Sequence, residues 1–196
     1  MKKDNLRNTL GALLLGCMLG NVATTAHAQK VVFPQQKQAG VAALKVEAQK
    51  FVLSNSLLEA SYSVVDGKLH FDGCSAMDLL PSNDLFSVRL ADCTEFASSD
   101  MKLVSVEGET YTADKKAAKG SERFNGKGVK AVFTRGSIKV EWRAVLRDGS
   151  HYLRTEMSIS SDKDVRMDNI KPMIYAVDNR KAKSAPVVVG NTRGAV

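Results

Sequence analysis

Two of the chain's three Asp-Gly pairs, Asp66-Gly67 and Asp148-Gly149, each sit between runs in which apolar and polar residues alternate. This combination constrains the chain more than any other feature. A primed two-residue hairpin turn needs positive φ at both central positions, which Asp-Gly favours, and period-two alternation belongs to strands with one buried face. Before the first turn, "LLEASYSVV" sets Leu58, Ala60, Tyr62 and Val64 on one face and Glu59, Ser61 and Ser63 on the other. "KLHFD" returns with Leu69 and Phe71 in step. "KFVLS" aligns Phe51 with Leu53, "DLFSVRLAD" aligns Phe86, Val88 and Leu90, and "MKLVSVEG" sets Leu103 against Val104 and Val106. "GVKAVFTRG", "RMDNIKPMIYAV" and "APVVVGN" supply further apolar runs. Short alternating runs punctuated by turn signals predict an all-β fold, an antiparallel β-sandwich. One segment, "GVAALKVEAQKFV", reads equally as helix or strand, and no internal repeat stands out.

The second turn reads as a two-residue hairpin pairing 147 with 150, and the apolar pattern selects that register, since a three-residue turn would set apolar positions opposite charged ones. Ile138 then faces Ile159, Val140 faces Met157, Trp142 faces Thr155 and Ala144 faces Leu153, all on one side. Trp142 is expected in the core; a sugar-stacking platform is the competing reading. On the other side Glu141 opposes Glu156 and Arg143 opposes Arg154, with each Arg diagonal to a Glu. Two readings of these four residues stay open. One is a self-neutralising solvated face, and the other is a platform whose guanidinium and carboxylate groups bind sugar hydroxyls or an acidic sugar.

Residues 1–28 have the layout of an export signal. Lys2, Lys3 and Arg7 form a basic start, interrupted by Asp4. "LGALLLGCMLGNVA" is short for a membrane span, and "AHA" offers small residues at −3 and −1, so cleavage is expected between Ala28 and Gln29. "LLGC" approximates a lipoprotein site, and cleavage there would leave a lipidated Cys17. A membrane partner is expected only in that case. Residues 29–43 read as a polar leader, and 44–196 as the sandwich domain.

Removing residues 1–28 takes three basic and one acidic residue from a net charge of +7, leaving +7 − 3 + 1 = +5. The excess lies in loop-like runs, "KKAAKGSERFNGKG" and "DNRKAK", without the interleaved aromatics of a nucleic-acid surface, so no nucleic-acid partner is expected. Two cysteines remain, Cys74 and Cys93. An oxidising compartment permits a disulfide between them, and two small buried thiols fit the same residues. Neither has metal-type spacing, and His27, His70 and His151 lie near no second ligand pair, so no metal and no cofactor is implied. No nucleophile elbow, P-loop or zinc-protease motif occurs, which leaves catalytic residues unassigned. His151 beside Tyr152 reads as a solvated turn residue.

In "NSLLEASYSVVDGKL", "EWRAVLRDGSHYLRTEMSI" and "VVVGNTRGAV" the chain resembles the galactose-mutarotase-like β-sandwich found ahead of the catalytic module in large secreted bacterial glycoside hydrolases. The resemblance rests on Trp142, Leu146, Arg147, Asp148, Gly149, Ser150, Tyr152 and Arg154, and it covers roughly residues 50 to 196. It implies a supersandwich in a carbohydrate context, such as that of endo-α-N-acetylgalactosaminidase-like enzymes. Family members continue into more strands and a catalytic barrel, so the resemblance implies a truncated copy. The histidine and glutamate that serve as base and acid in true mutarotases have no counterpart here.

These readings converge on an exported, noncatalytic, carbohydrate-associated module, periplasmic, cell-surface or secreted, with glycan as its partner. Two alternatives remain: a small aldose epimerase or glycosidase using His70 or His151 with a carboxylate, and a structural domain of a surface complex. Oligomeric state is not legible.

Overall fold

A computed structural model describes residues 37–76 and 79–177. The contact pattern divides the chain between Gln36 and Lys37, and every described residue falls in the second unit. The signal segment, the Ala28–Gln29 junction, Cys17 and the run "APVVVGN" lie outside the described residues.

The fold is an all-β antiparallel sandwich. Strands β1 (Ala43–Glu47), β2 (Lys50–Ser54), β3 (Glu59–Val65) and β4 (Lys68–Cys74) form one sheet in the order β1-β2-β3-β4. β5 (Ser87–Leu90), β6 (Glu95–Ala97) and β11 (Met167–Lys171) form a second, ordered β11-β5-β6. β7 (Lys102–Tyr111), β8 (Gly126–Arg135), β9 (Ile138–Arg147) and β10 (Arg154–Ser161) form the third, ordered β10-β9-β8-β7. The only helical turns among the described residues are the 3-10 segments Ser98–Asp100 and Gly120–Arg123, and none is long and apolar enough to cross a membrane.

The alternation read from the sequence is the alternation that packs. Phe51, Leu53, Ala60, Tyr62, Leu69 and Phe71 are buried from the first sheet, and Val129, Ala131, Phe133, Val140, Trp142 and Ala144 from the third. Trp142 is 1% exposed and belongs to the core, so the stacking-platform reading of it does not apply. Aromatic rings tie the layers together: Phe86 meets Phe133 edge-on at 5.2 Å between centroids.

The segment that read as helix or strand is the β1–β2 hairpin, with Glu47 paired to Lys50. Its turn places Ala48 at φ 50°, without the Gly, Asn or Asp that marks such turns in a sequence. In β7, Leu103 pairs with Phe133 and Ser105 with Val132, so Val104 is an inserted bulge residue. The bulge turns Val104 outward and lets both Leu103 and Val106 pack on the core. Within the expected leader, Ala39 and Ala42 are buried against the body.

The β9–β10 register differs from the expected one by two residues. Trp142 pairs with Met157, Val140 with Ile159, Ala144 with Thr155 and Arg143 with Glu156. The two Asp-Gly pairs explain the difference. Asp66 and Gly67 both take positive φ (51° and 70°), whereas at the second turn only Gly149 does (73°). A turn of that kind does not match the twist of paired strands. Its polar groups are also engaged elsewhere: Gly149 N donates to Gly40 O at 2.8 Å, and Asp148 N to Asn125 O at 2.9 Å. Asp148 Oδ1 accepts from Ala42 N at 2.8 Å, and Ser150 O from Asn55 Nδ2 at 2.8 Å. The chain runs on to Arg154 before pairing resumes. A shift of two leaves every side chain on its expected face.

Candidate functional site

The outer face of the β7–β10 sheet carries Glu141, Arg143, Arg154 and Glu156, as the alternation predicts. The like-charge oppositions do not form, because the register sets Arg143 across from Glu156, Glu141 across from Ser158 and Arg154 across from Val145. Arg143 binds Glu109 on β7 (Nε to Oε2, 3.3 Å) and Glu141 (Nη2 to Oε2, 3.1 Å). Lys139 reaches Glu141 at 3.0 Å, Lys130 reaches Glu107 at 3.0 Å, and Arg154 lies 3.5 Å from Glu156. Lys139 and Arg143 hold the Glu141 carboxyl below its ordinary value. Burial pulls the Arg143 guanidinium down, but Glu109 and Glu141 more than offset it and leave it raised. The four residues are brought onto one face, where they pair with one another, with Glu109 of β7 and with Lys139 of β9.

Tyr111 anchors one end of this face. Its hydroxyl donates to Glu109 Oε2, and burial followed by that bond pushes the phenol well above its ordinary value, so it stays protonated. A Cβ at Gly128 would lie 2.8 Å from Tyr111 Cε2 and 3.0 Å from Ala144 O, so the ring needs a glycine beneath it. The Arg147 guanidinium sits 4.4 Å from the Tyr111 ring centroid, a cation–π contact. Arg147 Nη1 also donates to Phe124 O at 2.9 Å.

Arg147 leads into an open cleft of about 370 Å³ formed by the 3-10 turn Gly120–Arg123 with the following Phe124, and by the turn at 147–152. Phe124 and Tyr152 line it while remaining 53% and 57% exposed, and Val41, 74% exposed, adjoins the same turn through its neighbours Gly40 and Ala42. Asp148, Ser150 and His151 add polar groups. Side chains of this kind, apolar rings with a few fixed polar groups, suit a small polar ligand with an apolar face. Alternation could not reveal the site, since Phe124 and Tyr152 lie in connections and their exposure depends on which segments fold beside them. The available signal was two aromatics outside any strand pattern, each close to a glycine.

Among the described residues neither His70 nor His151 has a carboxylate partner. His70 Nδ1 lies 2.6 Å from Asn83 Oδ1 and its Nε2 3.3 Å from Val65 O, while His151 Nε2 lies 3.1 Å from Lys37 O. These partners are amide and carbonyl oxygens, not carboxylates. Cys74, half-buried at the end of β4, and Cys93, exposed at φ 68°, are both free thiols. Among the described residues no group of three His, Cys, Asp or Glu side chains is placed to hold a metal ion.

The fold defines the class, an antiparallel β-sandwich with an aromatic-walled cleft at one turn. No protein-family model, curated protein or solved structure matches the chain.

Proposed function

We propose that this chain is an exported, noncatalytic β-sandwich module that binds carbohydrate and accompanies glycan degradation. The observation that carries the reading is the cleft in which Phe124 and Tyr152 stay more than half exposed beside Arg147, Asp148 and Ser150. A pyranose has an apolar face that stacks on aromatic rings and a rim of hydroxyls that needs donors and acceptors, and the cleft offers both. The resemblance of "LRDGSHYLR" to the galactose-mutarotase-like supersandwich supports the same context, and the signal-like residues 1–28 support export.

A glycan array spanning mucin, plant and host sugars tests the reading. Binding that disappears in the Phe124→Ala/Tyr152→Ala double variant is expected, and a blank array across all three classes refutes it. Mass spectrometry of the mature N-terminus separates a free Gln29 from a lipidated Cys17.

A further inference from the structure

We infer that the cleft selects an acidic sugar, a pyranose bearing a carboxylate, with Arg147 as the group that receives the charge. This rests on the carbohydrate-binding reading above. On the β7–β10 face Arg143, Arg154, Lys130 and Lys139 each have a carboxylate partner. Arg147 has none among the described residues; its contacts are the Phe124 carbonyl and the Tyr111 ring. A guanidinium has five N–H donors in a fixed plane, and one of them is used here. The ring contact and the carbonyl bond hold that plane in place before any ligand arrives, which lowers the entropy cost of engaging a carboxylate through two parallel bonds.

The surroundings favour the same sign. The connection from Thr112 to Asn125, which supplies one wall, holds Lys115, Lys116, Lys119 and Arg123 against Asp114 and Glu122, a net +2. Asp148 is the opposing charge on the cleft, and its Oδ1 is occupied by the Ala42 N–H. Phe124 and Tyr152 remain available for the sugar ring.

The test titrates the isotope-labelled chain with a glucuronate-terminated disaccharide and with its glucose-terminated counterpart of the same linkage, at low and high salt. The expected result is at least about tenfold tighter binding of the acidic sugar, the least that a charge-assisted contact of this kind supplies. That preference shrinks as salt rises, and amide shifts centre on Phe124 and residues 148–152. Arg147→Gln removes the preference and Arg147→Lys, which keeps the charge and stem but not the fork, reduces it; Arg147→Lys decides the matter if Arg147→Gln fails to fold. Equal affinity for the two sugars, or a preference that survives both substitutions, overturns the inference and leaves carbohydrate binding standing. No amide shift with either sugar in the unsubstituted chain, together with a blank array, overturns both.

Discussion

Tyr62 and Trp142 meet edge-on between the first and third sheets, with ring centroids 5.5 Å apart and planes at 68°. Both are fully buried, and among the described residues neither the Tyr62 hydroxyl nor Trp142 Nε1 has a hydrogen-bond partner. Burial, and then the facing Tyr175, push the Tyr62 phenol well above its ordinary value, so it stays neutral.

The contact is therefore worth its packing and not its polar atoms. Trp142→Ala is expected to cost roughly 3–5 kcal/mol in urea unfolding, as for other large-to-small core changes. Tyr62→Phe keeps the ring and deletes a hydroxyl that faces Tyr175 without a well-formed hydrogen bond, so it should leave stability unchanged or raise it by up to about 1 kcal/mol. A loss of more than 1 kcal/mol or so in Tyr62→Phe would show that the hydroxyl has a partner after all.

Ala48 holds a left-handed backbone (φ 50°) that costs a residue with a Cβ roughly 1–2 kcal/mol. Ala48→Gly should recover a good part of that, offset by the greater freedom of glycine in the unfolded chain. A raised thermal midpoint is expected, and a lowered one would mean that the Ala48 methyl packs usefully.

Gly126 has no room for a side chain, because a Cβ there would lie 2.6 Å from the Leu146 carbonyl oxygen. That neighbour is backbone and cannot rotate away. Gly126→Ala should destabilise by about 1–3 kcal/mol through displacement of β8 from β9. Gly136→Ala tests a different cause: a Cβ there meets nothing within 4 Å, but φ is 59°. Its cost should be confined to backbone strain, about 1–2 kcal/mol, without loss of sheet pairing by amide exchange.

Glu47, Glu95 and Glu141 are each held below the ordinary value of 4.5 by a lysine, Lys45, Lys171 and Lys139 respectively. The folded chain consequently binds fewer protons than the unfolded chain in the acid range. The stability these groups add is complete above about pH 4.5 and is lost as pH falls through their lower folded values. Unfolding midpoints at pH 7 and about pH 3 should show the drop, and about 1 M salt should narrow it, because the pairs are exposed and screened. A midpoint independent of pH over that range would mean that the pairs contribute nothing.

Much of the fold is written in period-two patterns. The burial of Phe51, Leu53, Tyr62, Phe71 and Trp142 follows from alternation alone, because a strand with one dry face leaves no other arrangement. What alternation could not supply is what depends on distant partners. The β9–β10 register moved because Gly40, Ala42, Asn55 and Asn125 claim the turn's polar groups, and none of them is near it in sequence. The Ala48 turn was hidden because its residue type carries no turn preference. Of the candidate site, the four charged residues were placed on the correct face, yet the pairing of Arg143 with Glu109 on β7 needed the β7–β8 and β8–β9 registers. The cleft was the least legible, being assembled from two connections whose proximity only the finished sheet creates.

The Asp148 turn has one consequence for how the molecule comes into being. Ala42 and Asp148 are 106 residues apart, and Asn55 and Ser150 are 95 apart. Contacts of such separation cannot close until nearly all of the intervening chain is in place, and long loops close late. In a chain emerging N-terminus first, Ala39 can bond Ser56 early, but the Gly40 carbonyl and the Ala42 N–H wait for Gly149 and Asp148, beyond β9. The turn bordering the cleft can therefore fasten to the N-terminal strands only once β9 is in place, with β10 and β11 still to follow.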